Sequence, residues 1–124
     1  MDKTPKDSAI EFLRLVTSNR IDEAYERFVA KDFRHHNPWF RGDAASLKAG
    51  MLDNAAKNPE KVFEVKNAIA EGERVAVHSH VRMKPGDRGM AVVHIFRFEN
   101  GRIAELWDLG QPIPEENAND NGMF

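Results

Sequence analysis

Cysteine is absent, so neither a disulfide nor a thiolate metal site can form, and a cytoplasmic location is the default expectation. Long apolar runs are missing as well. None approaches the roughly 20 residues of a membrane-spanning helix, so no membrane partner is expected. Nor is there an excess of charge of one sign. Lys+Arg 18 against Asp+Glu 20 leaves a net charge of −2, with no broad basic field to attract nucleic acid or an anionic membrane surface. The opening MDKTPKDSAIEF has no apolar stretch behind its charges and does not read as a signal peptide. What is present is ordinary for a globular protein: a hydrophobic share of 41%, a charged share of 31% and 124 residues, enough for one core. A single domain is expected over residues 1–111, followed by a tail, 112–124.

The first half has helical periodicity. Thr4-Pro5-Lys6-Asp7 is a helix start, with Thr4 as N-cap, Pro5 at the first helical position and Asp7 near the positive end of the dipole. Ala9, Phe12, Leu13 and Val16 mark its inner face, and Ser18-Asn19 ends it. A second helix begins near Asp22 and buries Ala24, Tyr25 and Phe28. Residues 33–37 read as extended because Pro38 disfavours helix at Asn37. Asp43 caps a third helix with Leu47, Met51 and Ala55 inside, and Asn58-Pro59 stops it. The period then changes to two. Residues 61–70, 74–83, 89–99 and 102–109 read as four antiparallel strands. Helices first and a meander last indicate an α+β fold, a curved, mainly antiparallel sheet cradling N-terminal helices.

The stretch MAVVHIFRFENGRIAELWDLGQ, residues 90–111, is the centre of that pattern. Met90, Val92, His94, Phe96 and Phe98 alternate along one strand, and Ala104, Leu106 and Asp108 along the next. A His and an Asp within apolar rows suggest polar groups at the bottom of an apolar pocket. The turn decides whether they meet. A two-residue Asn-Gly turn of type I′ pairs His94 with Trp107 and sends Asp108 to the other face. A three-residue Glu99-Asn100-Gly101 loop with Gly101 at a bulge pairs His94 with Leu106, and Asp108 lies one diagonal step away on the same face. A slip of one residue moves every side chain across the sheet.

FRFENGRIAELWD, together with the earlier His36-Asn37-Pro38, resembles the SnoaL-like polyketide cyclase branch of the NTF2-like superfamily over nearly the whole chain. That resemblance implies a cone-shaped α+β fold, commonly dimeric through the outer face of its sheet, and it favours the three-residue loop. It also implies a general acid/base at Asp108, the Asp of the WD pair, acting on a carbonyl compound without metal or cofactor. His94 matches a His lining the family pocket, and His36 and Asn37 match the HNP segment at its rim. The chain departs from the family at Leu106, where the cyclases often have His. The substrate implied is a small or polycyclic apolar carbonyl compound, and the reaction an aldol cyclisation, isomerisation or dehydration.

Each candidate also has a plainer reading. A carboxylate on an apolar face has its charged form disfavoured, which suits Asp108 to proton transfer; the plainer role is a hydrogen bond to a loop. His94 could donate to a developing enolate or sit as a satisfied core histidine. His36 and Asn37 point opposite ways on an extended segment, so only one enters the pocket. His35 is expected at the solvent. Trp39 either walls the mouth or packs, and Phe96 and Leu106 are expected to contact substrate. His78 and His80, with His94 and Asp108, supply the inventory of a non-haem metal site. Their place beside Arg74 and Arg82, however, puts that pair on an outer row. Arg97 and Glu105 fall on the outer face as a diagonal ion pair, with Val93 opposite Trp107. The tail either hangs loose or straps over the pocket or a partner subunit. A non-catalytic module that holds an apolar ligand is the alternative to an enzyme, and a His/Asp metal enzyme is the third.

Overall fold

A computed structural model describes residues 3–124; residues 1 and 2, at the head of the expected 1–111 domain, lie outside the described residues. Eight elements follow in order: α1 (Pro5–Thr17), α2 (Ile21–Phe28), β1 (Val29–His35), α3 (Ala44–Lys57), β2 (Val62–Glu71), β3 (Arg74–Arg82), β4 (Met90–Glu99) and β5 (Arg102–Pro112). The helix starts are those the sequence indicates. The Thr4 side chain accepts from the Asp7 backbone N–H at 3.1 Å, and Asp43 accepts from that of Ser46 at 2.9 Å. Asn19 adopts φ 66° just after α1, the left-handed turn that Asn tolerates.

The sheet order is β1-β5-β4-β3-β2. Four strands form the expected antiparallel meander; the fifth, β1, was expected only as a short extended segment. It pairs in parallel with β5 at the edge, with His35 beside Leu106. This is the α+β fold anticipated from the order of elements, with the cone shape that the family resemblance implies. The inner face carries α1 against β2 and β3, with α2 alongside and α3 against β1. Phe12, Val75, Val77, Phe96, Ile103 and Leu106 are fully buried, each contributing about 1.5–3 kcal/mol through apolar burial. Phe12 meets Phe96 edge to face, with centroids 6.1 Å apart.

The β4–β5 hairpin takes neither of the two expected registers. Its turn is the two-residue one: Asn100 (φ 52°) and Gly101 (φ 78°) lie between the paired Glu99 and Arg102. A bulge follows at once. Phe98 pairs with Ile103, but Arg97 pairs with Glu105, so Ala104 is the extra residue of β5. The bulge moves the register one step, and His94 comes directly opposite Asp108. Two further expectations are corrected by the same shift. Arg97 and Glu105 are direct rather than diagonal partners, and Val93 faces Leu109 while Trp107 faces Ile95.

The tail does not cross the pocket in this structure. The Phe124 ring packs on His80 and His78 on the outer face of the sheet, at centroid distances of 4.8 and 5.4 Å.

Candidate active site

A cavity of about 650 Å³ opens between the inner face of the sheet and helices α1 and α3. Leu13, Val16, Phe63, Val81 and Val92 supply apolar wall, and Met51, Met83 and Met90 add side chains that can reshape around a ligand. Besides Thr17 of α1, whose hydroxyl donates to the Leu13 carbonyl, two groups of polar side chains line it. At β4 and β5 these are His94 and Asp108, joined by Asn37 from the loop after β1; where α3 gives way to β2 they are Asn54 and Lys61.

Asp108 owes its position to the bulge at Ala104 and its orientation to Asn37. The Asn37 amide Nδ2 donates to Asp108 Oδ2 at 2.9 Å. Oδ1 has no hydrogen-bond partner among the described residues. Asn37 is itself held at both ends. Its Oδ1 accepts from the Trp39 backbone N–H at 2.9 Å, and its own backbone N–H donates to His35 Nδ1 at 3.1 Å. Because His35 Nδ1 accepts, the ring proton is on Nε2, which donates to the Arg41 carbonyl at 2.6 Å.

His94 lines the cavity beside Asp108, but its Nδ1 is sealed from solvent without a hydrogen-bond partner among the described residues. Leaving such an atom unsatisfied costs about 1–3 kcal/mol. Burial holds the His94 imidazole below its ordinary pKa, while the neighbouring Asp108 charge pulls the other way and has the smaller influence. The ring is therefore neutral near pH 7, able to donate from one nitrogen.

The remaining expected residues are divided between three places. Trp39 stands at the cavity mouth, 84% exposed. Phe96 and Leu106 belong to the packed core and do not line the cavity. His36 is on the opposite face of the sheet, where its Nε2 meets Glu105 Oε2 at 2.6 Å and its ring stacks on Trp107. The expectation that His36 contacts substrate is thereby corrected, and so is the solvent-facing place expected for His35, which is 5% exposed. The cause of both is one alternation: Leu106 points inward, so its neighbour on β1, His35, does too, and His36 points out. His78 and His80 lie on the outer row as expected, with His78 bonded to Asn67 and His80 to the Arg88 carbonyl. Among the described residues no cluster of three His, Asp or Glu side chains is arranged to hold a metal. Lys61 and Asn54 carried no sequence signal, since a Lys entering a strand after a helix stop is ordinary surface composition.

Residues 9–106 match the SnoaL-like domain. The chain belongs to the SnoaL-like family. The match ends two residues before Asp108, so the place of that residue rests on the hairpin geometry. Among solved structures, this SnoaL-like chain is similar to an NTF2-like protein of unknown function from Cytophaga hutchinsonii. The TM-score is 0.72 at 18% identity, over 90% of this chain and 94% of that one. It is also similar to a SnoaL-like polyketide cyclase from Agrobacterium tumefaciens, with TM-score 0.70 at 18% identity over 89% and 93% of the two chains. At such identities the likeness is one of fold. No curated protein matches the sequence. No helix among the described residues is long and apolar enough to cross a membrane.

Proposed function

We propose that this SnoaL-like protein is a cofactor-independent enzyme that moves a proton alpha to a carbonyl group. The observation carrying this reading is the pairing of Asp108 with His94 across β4 and β5, at one polar end of a mainly apolar cavity. Asp108 Oδ1 takes the proton from the α-carbon, while Asn37 holds Oδ2. The electron pair of the broken C–H bond moves toward the carbonyl oxygen. The neutral His94 ring stabilises that oxygen by donating a hydrogen bond. Aldol cyclisation, isomerisation and dehydration share this step, and the substrate is a small or polycyclic carbonyl compound. The setting is the cytoplasm, as the lack of cysteine supports. Self-association through the outer face is supported by Ile69 and Leu109, 69% and 59% exposed there.

The test is α-proton exchange in D2O with a panel of activated ketones and polyketide-like esters, in the presence of a chelator. Exchange by the wild type and not by Asp108→Asn supports the enzyme. Leu106 favours a second reading: an apolar core residue stands where the family's cyclases often have His, removing one polar group next to the site. A panel that binds but is exchanged by neither protein would establish a binding module instead.

A further inference from the structure

Lys61 lies at the other polar end of the cavity. The Asn58-Pro59 stop of α3 turns the chain into β2, and the Lys61 side chain lines the cavity next to Asn54, Phe63 and Met83. It is half-buried, and its Nζ donates to Asn54 Oδ1. Among the described residues no carboxylate is within ion-pair distance of Lys61; Lys6, Lys31 and Lys84 also lack an acidic partner there but are exposed, whereas Lys61 is half-buried in the cavity. Desolvation accordingly holds its ammonium below the ordinary lysine pKa, with no opposing charge to offset it. An ammonium has three donors. Asn54 takes one, and two remain for whatever enters.

The two polar ends are well separated. From β5, which bears Asp108, to β2, which Lys61 leads into, the sheet crosses β4 and β3. Three spacings of about 4.8 Å make roughly 14 Å. Between them the cavity is lined by aliphatic, Met and Phe side chains. A ligand with a purely apolar end here would strip water from the ammonium and return no hydrogen bond, and a neutral oxygen would return a hydrogen bond without a counter-charge. An anion would supply the missing counter-charge in a setting where Coulomb attraction is stronger than at the surface.

We propose that Lys61 is the docking point for an anionic group, a carboxylate or similar oxyanion, on a ligand whose apolar body fills the cavity. This deepens the reading above and rests on the same cavity. The substrate class becomes an elongated carbonyl compound with its acidic end at Lys61 and its reacting carbon at Asp108.

The test uses two fluorescent probes of matched body and different charge. 1-Anilinonaphthalene-8-sulfonate is an anion, and N-phenyl-1-naphthylamine is the neutral counterpart. Both are titrated into wild type, Lys61→Met and Lys61→Arg, and each is competed against the other. The expected result is mutual displacement, a loss of about tenfold or more in sulfonate affinity for Lys61→Met, retention in Lys61→Arg, and neutral-probe affinity that is held in Lys61→Arg and held or raised in Lys61→Met. Should Lys61→Met fail to fold, Lys61→Gln removes the same charge. The proposal is overturned if the sulfonate binds Lys61→Met as it binds wild type, if both probes weaken together, or if the neutral probe does not displace the sulfonate. Binding is read without turnover, so failure here leaves the Asp108 chemistry standing, and failure of α-proton exchange leaves this result standing.

Discussion

Glu105 and Asp108 are three residues apart on β5 and on opposite faces of the sheet, and their surroundings are opposite too. Glu105 is buried beneath two guanidinium groups and an imidazole. Arg97 Nε meets its Oε1 at 3.1 Å, Arg34 Nε meets its Oε2 at 3.1 Å, and His36 Nε2 meets Oε2 at 2.6 Å. These partners, the His36 hydrogen bond first, push its carboxyl pKa down to about 2. Asp108 has one neutral amide at Oδ2, and a neutral, partly unsatisfied imidazole opposite it. A carboxylate saturated by partners is locked in its charged form and holds structure together. Asp108 keeps one carboxylate oxygen without a partner among the described residues, and the proposed proton transfer rests on that oxygen. On the proposed reading, the face of the strand, and not distance along the chain, separates a structural carboxylate from a proton-transfer one.

That contrast can be broken from either side. The largest effect belongs to Asp108→Asn, which should cost about 10²–10⁴-fold in α-proton exchange rate, the range general-base catalysis supplies, measured by NMR in D2O. Glu105→Gln acts on stability instead. Loss of charged hydrogen bonds to Arg97, Arg34 and His36 should lower unfolding free energy by about 2 kcal/mol in urea titration, moderated by the exposure of Arg34. Its pH dependence sharpens the comparison. Because the folded Glu105 pKa is depressed to about 2, its contribution is complete above the unfolded carboxylate value of about 4.3 and is lost as pH falls toward about 2. Urea midpoints of Glu105→Gln should therefore fall less steeply than those of wild type across that window. The smallest effect tests the turn that begins the register. Gly101→Ala puts a Cβ on a residue at φ 78° and should cost about 1 kcal/mol of stability, read from the same titration.

Much of the fold was legible because its signals are local. Thr4 and Asp43 announce helix starts through their own side chains, Asn58-Pro59 a stop, and alternation the four meander strands. The site was less legible because it depends on register. Ala104 has nothing in its chemistry to mark a bulge, yet that extra residue brings Asp108 opposite His94. In the sequence a bulge is expected only at Gly101, inside a three-residue loop, whereas the structure combines a two-residue turn with a bulge at Ala104. The exchange of places between His35 and His36 has the same origin. Which of two adjacent histidines points inward depends on the pairing of β1 with β5, a parallel partnership between segments about 70 residues apart. Lys61 was missed because its significance is an absence, the lack of a counter-charge in three dimensions.

The most direct measurement is a crossed one: α-deuterium incorporation into a bound ketone and the urea midpoint, both determined for wild type, Asp108→Asn and Glu105→Gln. The predicted result is that Asp108→Asn loses incorporation and keeps its midpoint, while Glu105→Gln keeps incorporation and loses midpoint. Equal incorporation by Asp108→Asn and wild type, with chelator present, would contradict a proton-transfer role for Asp108.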